Sequence, residues 1–67
     1  MMTVTVNGQA HQLPPQSTVL TLLTQLDLTG KRIAVELDGE IVPKSAHGTT
    51  LLSPDATLEI VIAVGGG

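Results

Sequence analysis

Two Asx-Gly dipeptides, each placed after a short alternating run of apolar residues, constrain this chain most strongly. Asn7-Gly8 follows the run at residues 2–6, and Asp38-Gly39 follows the run at residues 33–37. Both dipeptides favour the type I′ turn of a two-residue β-hairpin, because Asn, Asp and Gly accept the positive φ angles that this turn requires. The chain is therefore predicted to contain two antiparallel hairpins.

The turn length also fixes the register of the first hairpin. A two-residue turn predicts three facing pairs, namely Val6 with Gln9, Val4 with His11, and Met2 with Leu13. Pro14-Pro15 then ends the hairpin, because proline donates no hydrogen bond to a β-ladder. In the second hairpin the return strand, residues 40–42, is short and runs into Pro43, which indicates a position at the sheet edge.

Between the two hairpins the apolar spacing changes to that of a helix. Apolar residues recur at i, i+3, i+4 and i+7, so they share one helical face. They are Val19, Leu22, Leu23 and Leu26. Ser17 is a suitable N-cap, and Gly30 can take the left-handed conformation of a helix exit. A helix this short and this rich in threonine depends on tertiary packing for its stability. We therefore expect its leucine face to pack on the sheet.

Residues 57–64 form the last predicted strand, which becomes apolar on both faces towards its end. One face holds Leu58, Ile60, Ile62 and Val64, and the other holds Thr57, Glu59, Val61 and Ala63. A strand that is apolar on both faces is usually central. The expected fold class is α+β, with one main helix on one face of a mixed four- to five-stranded sheet and the last strand parallel to the first. This arrangement resembles the β-grasp of ubiquitin-like proteins, and the topology rests on that analogy.

Size and composition exclude several functions. The 67 residues allow one domain, predicted over residues 1–64, and its core must be aliphatic because the chain has neither aromatic residues nor Cys. A net charge of −3 with three basic residues argues against nucleic-acid binding. The longest apolar run, residues 60–64, is too short to span a membrane. No signal peptide is visible, so we expect a cytoplasmic protein.

The domain itself shows no constellation typical of an enzyme. The two histidines, His11 and His47, lack Cys partners and the spacing of metal ligands, and the six acidic residues are scattered. We therefore expect a protein that is not an enzyme and that binds neither a cofactor nor a metal. His11 is predicted to lie at the rim of the core, opposite Val4, and His47 to make a structural hydrogen bond.

Three glycines, Gly65, Gly66 and Gly67, form a predicted flexible tail. One interpretation is a frayed end or a linker. The other is a reactive terminus, since three extended residues reach about 10 Å and Gly65 and Gly66 could thread a narrow channel of another protein. There the Gly67 carboxylate could attack the α-phosphate of ATP, and a sulfur nucleophile could then displace AMP. In this interpretation the tail is a substrate of partner enzymes.

The block AVELDGEIVPK at residues 34–44 is similar to the AV-x-x-N-x-EIVPR of the ThiS family, the sulfur carriers of thiamine thiazole biosynthesis. VGGG at residues 64–67 resembles the ending of that family, and the resemblance covers essentially the whole chain. The departures are modest, with Asp38 in place of Asn, Lys44 in place of Arg, and Asp55-Ala56 in place of Gly-Asp. Asp55 can still take a left-handed turn conformation.

The resemblance implies a sulfur-transfer cycle at Gly67. A ThiF-like adenylyltransferase would activate the carboxylate with ATP, sulfur derived from cysteine by a desulfurase would convert it to a thiocarboxylate, and a ThiG-like thiazole synthase would accept the sulfur. A MoaD-like subunit of molybdopterin synthase is an alternative, although such proteins often carry Pro-Pro before the glycines and this chain does not. A ubiquitin-like protein modifier and a purely structural module are further alternatives.

A docking surface for partners is expected on the sheet face that the single helix leaves uncovered, close to the tail. The candidate residues are Glu59, Val61, Ala63 and Val64. The competing interpretation of these residues is a buried central strand.

Overall fold

The computed structural model describes residues 1–63, which fold into five strands, one α-helix and a short 3₁₀ helix. The elements are β1 (Met2–Val6), β2 (Gln9–Leu13), α1 (Val19–Gln25), β3 (Ile33–Leu37), β4 (Glu40–Val42), the 3₁₀ helix (Lys44–Ala46) and β5 (Thr57–Ile62). The strand order is β2-β1-β5-β3-β4. β1 and β5 are parallel, and the other neighbours are antiparallel. The predicted mixed sheet with the last strand at its centre is confirmed.

Both hairpins turn at the Asx-Gly dipeptides. The φ angle is 50° at Asn7 and 83° at Gly8, and it is 49° at Asp38 and 88° at Gly39. These are the positive values that a type I′ turn requires. The first hairpin has the predicted register along its whole length. β4 is an edge strand, as Pro43 indicated.

The core lies between α1 and one face of the sheet. Its fully buried side chains are Val4, Leu13, Val19, Leu22, Val35 and Leu58. The burial of each of these side chains stabilises the folded state by about 1.5–3 kcal/mol. Burial of aliphatic side chains is therefore what stabilises this fold. Ile62 shares the face of β5 that buries Leu58 and Ile60, but it is 45% exposed. The reason is that α1 has seven residues, and a helix of that length covers only about 10 Å of the sheet.

The helix begins with a different cap from the one predicted. Thr18, not Ser17, is the N-cap, so the Ser17 prediction was wrong. Thr21 N–H donates to Thr18 Oγ1 at 3.2 Å, and Thr18 N–H donates to Thr21 Oγ1 at 3.1 Å, which together form a capping box. Ser17 is buried, and its hydroxyl donates to Pro14 O at 2.7 Å. That bond closes the turn after β2 and leaves the Ser17 hydroxyl unavailable to the helix.

The helix also ends earlier than predicted. Asp27, with φ of 60°, supplies the left-handed residue after α1. Leu28 N–H donates to Leu23 O at 2.8 Å, which is the long bond of a Schellman motif. Gly30 does have a left-handed φ of 82°, but it serves the loop into β3 rather than the helix end.

The segment between β4 and β5 packs against the start of α1. Val19 N–H donates to Thr50 O at 3.0 Å, and Leu20 N–H donates to His47 O at 2.9 Å. Loop carbonyls thus satisfy two of the donors that a helix start leaves without partners. Leu51 makes a single antiparallel bridge with the N-cap residue Thr18.

Candidate functional site

The predicted reactive end of the chain, Gly65 to Gly67, lies outside the described residues, and so does Val64. The structure describes the root of this tail. Ala63 N–H donates to Arg32 O at 2.9 Å, so the β3–β5 ladder extends one residue beyond β5. The chain therefore enters the tail from the end of the central strand, and the last described residue, Ala63, is still hydrogen-bonded to Arg32, the residue before β3.

On the other side of β5, the side chain of Asn7 takes the place of a strand residue. β1 ends at Val6, opposite Leu58. Beyond that point Asn7 Nδ2 donates to Ile60 O at 3.0 Å, and Ile60 N–H donates to Asn7 Oδ1 at 2.9 Å. A primary amide can donate and accept side by side, as a peptide group does. Sequence reasoning assigned Asn7 to the turn alone and missed this pair of bonds, which we name the Asn7 clamp.

The predicted docking residues Glu59, Val61 and Ala63 lie exposed on the sheet face that points away from α1. Val61 is 64% exposed and pairs with the exposed Ala34 of β3. Ile41 of β4 lies on the same face and is 65% exposed. The competing interpretation of a buried strand is therefore wrong for Val61 and Ala63. Sequence reasoning missed Ala34 and Ile41, although the alternation along β3 and β4 predicts that they lie on this face. We name this exposed surface the outer face, and its residues are Ala34, Ile41, Glu59, Val61 and Ala63.

The histidines occupy structural positions. His47 is 6% exposed, and its Nε2 lies 3.2 Å from Val42 O. A carbonyl oxygen only accepts hydrogen bonds, so the ring donates from Nε2. His11 is half-buried opposite Val4, at the rim of the core as predicted.

Residues 1–63 contain no group of three or more His, Cys, Asp or Glu side chains placed to hold a metal ion. No helix in this part of the chain has the length and apolar character needed to cross a membrane.

The model of the ThiS family matches residues 4–67, which include the exposed end of β5 and the three glycines. The chain belongs to the ThiS family. The resemblance inferred from the AVELDGEIVPK block is thereby confirmed, and ThiS membership favours the thiamine carrier over the MoaD-like alternative.

Two relatives of this ThiS-family chain are much longer proteins. A thiazole synthase of Paramagnetospirillum magneticum is 36% identical over 66 residues, which are 98% of this chain and 20% of that protein. A thiazole synthase of Magnetococcus marinus is 30% identical with the same coverage. The chain thus spans about a fifth of the length of these thiazole synthases. The uncharacterized protein ycf40 of Pyropia yezoensis is 30% identical over 98% of this chain and 93% of that protein.

Solved structures agree with the family. The crystal structure of the thiamine biosynthesis protein ThiS from Geobacter metallireducens has a TM-score of 0.82 at 29% identity and covers 98% of this chain and 100% of that one. A solution structure of a thiamine biosynthesis protein from the same organism has a TM-score of 0.79. The predicted β-grasp, ubiquitin-like fold is confirmed, and the prediction of a ThiS-type sulfur carrier is confirmed at the level of the family.

Proposed function

We propose that this chain carries sulfur for thiazole formation in thiamine biosynthesis, as a thiocarboxylate on Gly67. The observation that carries the proposal is the match to the ThiS family, which extends through the glycines to residue 67. The fold supports it, because the central strand β5 ends at Ile62 and the next residue, Ala63, is exposed and leads into the tail. Partner enzymes would bind the folded domain and thereby position this tail.

The proposed chemistry takes place in partner enzymes. A carboxylate oxygen of Gly67 attacks the α-phosphate of ATP in a ThiF-like adenylyltransferase, pyrophosphate leaves, and an acyl-adenylate forms. A desulfurase transfers the sulfur of cysteine to a protein persulfide, and a thiol reductant releases it at the oxidation level of sulfide while the thiols become a disulfide. This sulfur nucleophile then attacks the carbonyl carbon, and AMP leaves. The chain is a co-substrate in this cytoplasmic cycle, with ATP bound by its partner.

A ThiG-like thiazole synthase is the proposed acceptor of the sulfur. Two thiazole synthases contain a region that is 36% and 30% identical to this chain. In those proteins a ThiS-like region and the remaining sequence belong to one polypeptide, which supports a physical association between the two. On this chain the outer face, together with Val64 as the next residue in the sequence, is the proposed docking surface, since partners that receive the tail must come close to its root.

Intact-protein mass spectrometry tests the proposal. The chain is incubated with ATP, a ThiF-like enzyme and a sulfide source, and its mass should rise by the difference between sulfur and oxygen. A variant that lacks Gly67 still ends in a carboxylate, on Gly66, but its reach is shorter by about 3.5 Å. We expect this variant to remain unmodified.

The matched control is a variant that lacks Met1, which is 77% exposed at the other end of the chain. It loses one residue as well, but it should be modified as fast as the wild type. Equal thermal midpoints of the two variants would show that both are folded. Modification of the variant without Gly67 at the wild-type rate would contradict the assignment of Gly67.

A further inference from the structure

A groove near the root of the tail has no part in the proposed chemistry at Gly67. It encloses about 480 Å³ between α1, the loop from α1 to β3, and the 3₁₀ helix that follows β4, within the range of about 300–1,000 Å³ that is typical of ligand sites. Its apolar floor is formed by Leu20, Leu23, Leu28 and Ile33. Leu20 is 45% exposed, so the floor is open to a ligand from solution.

The groove exists because β4 is shorter than β3. The β3–β4 ladder ends at the pair Val35 and Val42. Beyond this pair the chain leaves the sheet at Pro43 and turns into the 3₁₀ helix at Lys44, so no residue of β4 lies opposite Ile33. The first part of β3 is therefore an open edge of the sheet.

The backbone of Ile33 faces this open edge. Arg32 O accepts from Ala63 N–H, so the peptide groups of Arg32 point towards β5. Along an antiparallel strand, successive residues bond to opposite neighbours. The N–H and C=O of Ile33 therefore point into the groove, and no strand within residues 1–63 pairs with them there.

The charge of the groove is opposite to that of the whole chain. Lys31, Arg32 and Lys44 are the three basic residues of the sequence, and all three line the groove. None of the six acidic residues lines it, whereas Glu36 and Glu59 line a separate small depression. In a chain with a net charge of −3, this concentration of cations favours an anionic ligand, and the anionic side chains of an unmodified protein segment are carboxylates.

We propose that this basic groove binds an extended segment of thiazole synthase that combines apolar side chains with carboxylates. The segment adds a short strand to the open edge of β3 and pairs with Ile33, which is a known mode of peptide recognition. Its apolar side chains pack on the leucine floor, and its carboxylates pair with Lys31, Arg32 and Lys44. The identity of the partner rests on the proposed function.

The position of the groove supports a partner that also receives the tail. Val61 and Ala63 belong to the outer face and also line the groove. The groove and the outer face are therefore continuous around the root of the tail. A thiazole synthase that covers the outer face would reach the groove without a second, separate interface.

A pair of charge variants tests the proposal by calorimetric titration with thiazole synthase. The groove variant combines Arg32→Gln with Lys44→Gln, and the control combines Gln9→Glu with Gln12→Glu. Both change the net charge by the same amount, and the two control positions are exposed on β2, the opposite edge strand. We expect about tenfold weaker binding for the groove variant, in line with the loss of two exposed ion pairs, a weaker dependence of its affinity on salt, and wild-type affinity for the control.

The outcomes separate this proposal from the function on which it rests. Sulfur loading of each variant by the ThiF-like enzyme is measured in parallel. Normal loading with weaker binding of the groove variant alone supports the proposal. Normal loading with equal binding of wild type and both variants overturns the groove and leaves the carrier function standing. Equal binding with slower sulfur transfer by the groove variant would assign the groove to a small anionic ligand and also overturn the peptide proposal. Absence of loading in the wild type overturns the proposed function.

Discussion

The Asn7 clamp predicts a large loss of stability from a single substitution at the surface. Asn7→Gly keeps the positive φ that the turn needs, but it removes both hydrogen bonds to Ile60. Each bond contributes about 1 kcal/mol net, and the added glycine flexibility of the unfolded chain costs about 0.4–1 kcal/mol more. The free energy of unfolding should therefore fall by about 2.5–3 kcal/mol.

The second hairpin provides a matched control. Asp38 has nearly the same φ, 49° against 50° for Asn7, and its Oδ1 accepts one exposed bond from Thr57 N–H at 2.9 Å. Asp38→Gly carries the same glycine cost but loses only this one bond, which contributes about 0.5 kcal/mol at the lower end of the usual range. Asn7→Gly should therefore be the more destabilising of the two by about 1.5 kcal/mol.

Thermal and urea unfolding of the two variants measure this difference. For a domain of this size, 1 kcal/mol shifts the midpoint by about 4–8 °C, so the two midpoints should differ by about 6–12 °C. Amide hydrogen exchange at Ile60 gives an independent reading, because its N–H loses its acceptor only in Asn7→Gly. Equal midpoints together with unchanged exchange at Ile60 would refute the clamp.

Three further substitutions test other contacts. His47→Ala should lower the free energy of unfolding by about 1–3 kcal/mol, because a buried ring and its hydrogen bond to Val42 O are lost; an unchanged urea midpoint would contradict this. Thr18→Ala should lower the free energy of unfolding by about 1 kcal/mol, because the helix loses its N-cap. Thermal unfolding measures this change, and an unchanged midpoint would mean that Thr18 does not stabilise the helix start. Val61→Asp should change the free energy of unfolding by no more than about 0.5 kcal/mol, because the side chain is exposed. It should nevertheless weaken binding to thiazole synthase in calorimetry, and wild-type affinity would show that Val61 is not part of the proposed docking surface.

Local rules were sufficient for the hairpins and for the buried face of the helix. The turns at Asn7-Gly8 and Asp38-Gly39 depend on φ preferences of the residues themselves, and a two-residue turn leaves one register for the strands beside it. Asp55 belongs to the same group, since its φ of 66° is the left-handed value that Asp tolerates. These features need no knowledge of distant residues.

Features that depend on distant contacts could not be predicted. Ser17 and Thr18 are both suitable caps by residue type, and only the approach of Pro14 O assigns Ser17 to another bond. The Asn7 clamp joins residues that are 53 positions apart, so it requires the β1–β5 pairing. The basic groove likewise brings Lys44 to Arg32 across the sheet edge, and each residue looks like an ordinary surface charge in the sequence.

The most direct test of the central claim follows one sulfur atom. The chain is loaded with a heavy sulfur isotope by the ThiF-like enzyme, purified, and added to thiazole synthase with its other substrates for a single turnover. The proposed function predicts that the label leaves Gly67 and appears in the thiazole product in equal amount, while the chain returns to its carboxylate mass. Label that stays on the chain while unlabelled thiazole forms would contradict it.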